Sequence, residues 1–457
     1  MSDLPDDLQV NAYAGAVGNS SPLDPAYKGK LLATRLGIPD LTAAPKPPDL
    51  RDWTDPRVGW GVVLADRDDV GPAEKARAAD APAALQALIA ARKGVVLRYR
   101  ADRQAGTLRR YYADGSSNDP TINVKWGTDP GAIPHYLLIC GSPAVVPWSL
   151  QFELQHSCFM GRIDLSGAAL ERYAQALIDD WKGSTSDLKH TLVWAVDQAN
   201  DITRLMRKSI AAPLNDKFAT DGDYDARFID GRNAPASAGA LNTALAAHRP
   251  GFVATTSHGM TGPLDDVAKM KADLGLLVDA GFKVVRPQEL LAAWQPDGAI
   301  WYAHACCSAG SLSKTAFDGL VPAGSDVDRI MKGVAGCGDM IAPFPQALLS
   351  ADRPLRAFVG HVEPTFDWSL RQPLTEQYLT VPLLDTFYEH LFSGEPIGMA
   401  LDRCRRMASG LLHAQYATDE QALNKGQAKA GDILALKLVA NDWRAFVLLG
   451  DPTCKIA

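Results

Sequence analysis

Ala299-Ile300-Trp301-Tyr302-Ala303-His304-Ala305-Cys306-Cys307-Ser308-Ala309-Gly310-Ser311 begins as an apolar run of strand length and ends abruptly in Cys-Cys, small residues and a glycine. A buried strand of an α/β sheet reads this way, and ligands and reacting groups collect just beyond the carboxyl ends of such strands. Upstream, Gly251-Phe252-Val253-Ala254-Thr255-Thr256-Ser257 is a second strand-like run, and it delivers His258-Gly259. If the two strands are neighbours, a histidine and a cysteine emerge at the same rim. The pattern is the outline of a Cys–His dyad.

The chain around these strands is ordinary for a soluble globular protein. Its 457 residues are 47% hydrophobic and 22% charged, enough for two or three compact units. A net charge of −7 argues against general affinity for nucleic acid or anionic membrane. The acidic start Met1-Ser2-Asp3-Leu4-Pro5-Asp6-Asp7 has no apolar core, so it does not read as a secretory signal. No apolar run approaches the roughly 20 residues of a membrane span. Seven scattered cysteines do not form a disulfide framework. These features predict a reduced, cytoplasmic protein.

Residues 1–50, rich in Pro, Asp, Ala and Lys, read as an extended or partly disordered arm. From Arg57 onward strands alternate with helices. Arg57–Leu64, Gly94–Tyr99, Leu108–Tyr112 and Tyr136–Pro143, the last ending in a turn, read as strands, with helices at 81–92 and 168–181. After Gly183-Ser184-Thr185-Ser186 the rhythm restarts with Thr191–Asp197 as a strand and a helix over 201–215. Further strands follow at Ala226–Ile229, before His258, before Cys306 and at Leu355–His361, and the chain closes on Ala445–Pro452. The alternation predicts an α/β fold with a mostly parallel, doubly wound sheet. It divides into an N-terminal subdomain over 51–185 and a second one over 186–457. No internal repeat is visible.

His-Gly after one strand and Ala-Cys after a later one is the order of the caspase-like (clan CD) cysteine peptidases, which the chain resembles. Three more stretches resemble gingipains within that group. Leu137-Leu138-Ile139-Cys140-Gly141-Ser142-Pro143, followed by Val146-Pro147, is similar to their "LLVGD…IP" strand. Gly161-Arg162-Ile163 is similar to their "GR(I/F)" turn, and Leu448-Leu449-Gly450-Asp451-Pro452 to their closing "LLGDP". The resemblance runs from Val58 to the C-terminus and implies a three-layer α/β sandwich of two consecutive subdomains. The chain departs from gingipains in lacking a secretion signal and in reading Ala-Cys-Cys at the catalytic strand. Secretion, calcium sites and adhesin partners therefore do not carry over.

The resemblance assigns Cys306 as nucleophile, His258 as acid/base and Gly259 as an oxyanion donor. The chemistry suits these residues: a thiolate attacks, histidine titrates near the working pH, and a glycine amide approaches a substrate carbonyl closely. Cys307 is the rival nucleophile, since adjacent strand side chains face opposite ways and only one faces His258. For substrate recognition the resemblance points to the loop Asp197–Asp201, where Asp197 or Asp201 would pair a basic P1 side chain. The alternative for Asp201 is an N-cap of the following helix. Glu363 is a second acidic candidate, and Trp368 resembles an S1 wall. No paired Cys-x-x-Cys or His-x-x-x-His suggests zinc, and no Gly-x-Gly-x-x-Gly or Walker loop opens a helix; neither metal nor cofactor is expected. The expectation is a cytoplasmic cysteine endopeptidase acting on protein or peptide substrates through a thioester acyl-enzyme. Gating by a partner or ligand, in a bacterial defence or regulatory setting, follows by analogy. A pseudopeptidase scaffold and a Cys-dependent acyltransferase or amidase are the alternatives.

Overall fold

The computed structural model describes residues 7–9, 20–22, 24–35, 47–103, 106–122, 125–373, 375–425 and 430–456. Met1–Pro48 and Asp49–Ala457 are separate compact units. In the first, Asp7–Gln9 pairs with Ser20–Pro22 in an antiparallel ribbon, and Pro25–Arg35 is a helix. That helix departs from the expected extended arm; the rest of the arm lies largely outside the described residues.

Asp49–Ala457 is built on one ten-stranded sheet. In chain order its strands are β1 (Trp60–Ala65), β2 (Val95–Tyr99), β3 (Tyr136–Cys140), β4 (Phe159–Ile163), β5 (Asp187–Ala195), β6 (Asp225–Asp230), β7 (Pro250–Thr256), β8 (Ile300–His304), β9 (Ala357–His361) and β10 (Phe446–Gly450). Across the sheet they lie in the order β6-β5-β7-β8-β9-β10-β4-β3-β1-β2. All neighbours are parallel except β9 and β10. Strands covered on both faces read as unbroken apolar runs, and β7, β8, β9 and β10 are buried along their whole length. Helices flank the sheet, among them Ala83–Arg92, Gly167–Ile178, Ala238–His248 and Ala430–Arg444.

Because β10 is antiparallel to β9 but parallel to β4, β1–β4 run opposite to β5–β9. Each half repeats one winding: the first strand is flanked by the second on one side and the third on the other. That places a topological switch point between β1 and β3 and another between β5 and β7. The sheet continues unbroken across the Gly183–Ser186 joint. Leu108–Tyr112, expected as a strand, gives Arg110–Tyr111 to a short ribbon with Ser117–Asn118 and, through Arg109, one antiparallel bridge to Arg98 of β2. Its arginines turn outward, Arg109 to Asp119 and Arg110 to the Thr128 and Asp129 carbonyls.

Candidate active site

The second switch point is where the chemistry collects. Asp201 follows β5, His258 follows β7, and Cys306 follows β8, all beyond carboxyl ends. β7 and β8 are hydrogen-bonded neighbours in parallel register, with Thr256 opposite His304. The pairing ends there, and just beyond it Gly259 packs against the backbone of Cys306. The expected neighbourhood of the two strands is thus present.

His258 sits in a small antiparallel ribbon, His258–Gly259 against Leu277–Val278. Its Nε2 lies 2.9 Å from Asp201 Oδ2. An ionised carboxylate only accepts, so this bond places the imidazole proton on Nε2 and leaves the Nδ1 lone pair as the basic site. Asp201 Oδ1 meanwhile accepts the Thr203 amide at 2.8 Å and caps the helix Ile202–Met206. Burial pushes the Asp201 carboxyl up, but the Thr203 hydrogen bonds and His258 outweigh it and hold it below the usual carboxylate range. One residue therefore serves as helix cap and histidine partner together.

Cys306 is half-buried and Cys307 fully buried among Met270, Leu274, Val334 and Cys337, with Cys306 packed against the edge of the same cluster; both lie in the turn after β8, where the strand alternation expected for them does not apply. Cys307 has φ +54° and Glu363 has φ +80°, in the left-handed region that costs non-glycine residues energy. The Cys307 amide donates to the Glu363 carbonyl at 2.9 Å, so each of these strained residues fixes the other. Two glycines clamp the same turn. A Cβ on Gly259 would lie 1.9 Å from the Cys306 carbonyl oxygen, and one on Gly275 would lie 2.1 Å from that of Cys307.

The Cys306 sulfur receives the Thr365 amide at 3.5 Å. Burial pushes the thiol up to about 11, with Asp442 adding to the rise, while the amides of Thr365, Cys306 and Gly259 pull it down. Asp442, 1% exposed, holds the Thr365 loop in place. Its Oδ2 accepts the Thr365 hydroxyl and the Phe366 amide, each at 2.9 Å, and the Ser369 hydroxyl. Thr365 and Asp442 were not singled out in the sequence; a lone carboxylate closing the apolar run Leu438-Val439-Ala440 was the available signal for Asp442.

The residues expected to recognise substrate are otherwise engaged. Asp197, its side chain 1% exposed, faces Arg204 at 2.8 Å and Arg207 at 3.8 Å. Glu363 is buried, and its carboxylate accepts the Ala316 amide. Desolvation pushes it up to about 7, against the pull of Thr315 and Ala316. Trp368 is half-buried against the cluster of Phe317, Met331 and Leu438. The structure brings Cys306, His258, Gly259 and Asp201 to one rim, and gives Asp197 and Glu363 partners inside the chain.

The described residues contain one group of metal-ligating side chains, His190, Asp225 and His248. Their imidazoles stack at 4.3 Å, only 9° from parallel. In-plane lone pairs of parallel rings do not converge on one ion, so the group does not have the form of a metal centre. No helix among the described residues is long and apolar enough to cross a membrane. Comparison with protein-family models, with curated proteins and with solved structures finds no match.

Proposed function

We propose that the chain is a cysteine endopeptidase in which Cys306 attacks, His258 transfers the proton and Asp201 orients the histidine. The observation carrying this reading is the β7–β8 register, which sends His258 and Cys306 off adjacent strand ends. The Nδ1 lone pair takes the thiol proton, and sulfur adds to the scissile carbonyl. The Gly259 and Cys306 amides, both close enough to influence the sulfur, donate to the oxyanion. Collapse of the tetrahedral intermediate expels the amine, which takes its proton from His258 and leaves a thioester for water to hydrolyse. A basic P1 residue fits this reading only if it displaces an arginine from Asp197 or the Ala316 amide from Glu363. A thiol pushed up to about 11 is almost wholly protonated at neutral pH, which supports gating by a partner or ligand. A cytoplasmic setting belongs to the same proposal.

The raised thiol also favours a second reading, an inert scaffold that retains the peptidase framework. Wild type, Cys306→Ala, Cys307→Ala and His258→Ala, each incubated with a fluorogenic peptide library spanning all P1 residues, separate the two. Cleavage that persists in Cys307→Ala and is lost in Cys306→Ala and His258→Ala supports the peptidase. Cleavage that survives in Cys306→Ala refutes the assignment. If every protein is silent, a Cys306 that iodoacetamide alkylates faster in wild type than in His258→Ala supports a dormant peptidase, and equal rates support the scaffold.

A further inference from the structure

The segment that follows β9 meets the Cys306 sulfur with both backbone groups of one residue. The Thr365 amide donates to Sγ at 3.5 Å, and the thiol donates to the Thr365 carbonyl at 3.8 Å. A carbonyl that accepts the S–H favours the protonated form, and the amide occupies the side of the sulfur that would attack. Among the described residues His258 makes its side-chain hydrogen bond to Asp201 and none to Cys306. The thiol is thus engaged, but not with its base.

What holds Thr365 there is one face of the helix Ala430–Arg444, since residues four and five apart point the same way. Asp442 Oδ2 accepts the Thr365 hydroxyl, the Phe366 amide and the Ser369 hydroxyl. Trp443 Nε1 donates to the Ser369 carbonyl at 3.3 Å, and Phe366 and Trp368 pack on the cluster that contains Leu438. Upstream the segment is tied elsewhere, the Glu363 amide donating to the Gly310 carbonyl at 3.1 Å. A buried carboxylate with three donors is a strong, charge-assisted tie. We propose that Thr365–Ser369 is an internal latch on Cys306, and that Asp442 is the positioning residue that keeps it shut. While Asp442 holds the segment, the thiol keeps its proton and stays apart from His258; displacement of the helix Ala430–Arg444 frees it. The latch also stands at the sulfur, where a scissile carbonyl has to arrive. The inference deepens the peptidase reading, and rests on it for what the latch restrains. The opposite role for the same contact, a Thr365 amide that stabilises the thiolate, predicts the opposite sign on loosening.

Thr365→Val with Ser369→Ala, made together in the full chain, removes two of the three donors to Asp442 without adding bulk. Asp442→Asn keeps the shape, removes the charge and serves as an independent variant. Iodoacetamide reaches Cys306 through the opened segment, so the rate of labelling near neutral pH, read by peptide mapping, reports how often the latch opens. Both variants should label Cys306 at least about tenfold faster than wild type, with Cys307 unmodified. Leu85→Ala loosens the buried face of the helix Ala83–Arg92 in the other half of the sheet, and should leave the Cys306 rate within about twofold of wild type. Labelling in both latch variants at or below the wild-type rate overturns the proposal, and a fall assigns the Thr365 amide to the thiolate. An equal rise in Leu85→Ala overturns it too, because the rate then reports general loosening. The peptide library, cleaved or not by the same variants, reads the peptidase separately. Faster labelling without cleavage leaves the latch and sinks the peptidase reading; cleavage with unchanged labelling does the reverse.

Discussion

Asp201 joins two structural tasks that substitution can separate. Its Oδ1 caps the helix Ile202–Met206 and its Oδ2 holds His258 Nε2. Removing an Asp cap costs about 1 kcal/mol. The Asp201–His258 pair is roughly one-third exposed on both sides, 28% and 35%, so solvent screening limits it to about 1 kcal/mol or less. Asp201→Ala loses both and should destabilise by about 1–2 kcal/mol. Asp201→Ser restores an oxygen to the Thr203 amide but is too short to reach the imidazole. It should recover the cap and lie about 1 kcal/mol above Asp201→Ala. Urea unfolding measures the stabilities, and ¹⁵N NMR of the imidazole reads the tautomer. The wild type should carry its proton on Nε2 and both variants should show a mixture. If the peptidase proposal is right, kcat/KM falls at least about tenfold in both, equivalent to about 1.4 kcal/mol in the barrier. A serine variant as unstable as the alanine variant would refute the capping argument. An unchanged tautomer in both would refute the claim that Asp201 sets it.

Three further outcomes are expected. Gly259→Ala drives a Cβ to 1.9 Å from a backbone oxygen that cannot swing aside, and should cost about 1–3 kcal/mol or more. Gly410→Ala, in the helix Asp402–Lys425 with no atom within 4 Å of the added carbon, should instead gain about 0.5–1 kcal/mol, and chemical denaturation compares the two. Glu363, raised from 4.5 to about 7, keeps its proton longer when folded than when unfolded. Its contribution is intact below about pH 4.5 and is lost as pH rises through 7, a penalty of about 3 kcal/mol; Glu363→Gln should flatten that part of the stability–pH curve, and an unchanged slope would count against it. In the protein without an activator, Cys306 alkylation should climb about tenfold per pH unit toward 11, while native Cys307 stays unmodified; peptide mapping by mass spectrometry reads both.

The strands that deliver His258 and Cys306 were legible because sheet strands covered on both faces leave an uninterrupted apolar record. Helix 201–215 was legible for a similar local reason, Asp201 standing where a cap belongs. The bond from Asp201 to His258 was not, because it spans 57 residues and exists only once β5 and β7 lie side by side. Asp197 read as a free carboxylate because the arginines that claim it lie on a later helical face, a relation of rotation that spacing alone does not fix. The matched winding of the two halves left no repeat in the sequence, since topology constrains connection order and burial but not residue identity. Strand direction is equally silent: Phe446–Gly450 has the same apolar composition whichever way it runs.

That last strand has a consequence for the order of assembly. β10 alone joins β9 to β4, and its partner Arg162 lies 287 residues before Leu449. During synthesis each half of the sheet is complete in its other strands while one edge of each still has backbone donors and acceptors unpaired. Such edges invite pairing with other chains. Insertion of five residues, Phe446–Gly450, covers the β9 and β4 edges at once, so a chain that stops short of them has two separate sheets in place of one continuous one.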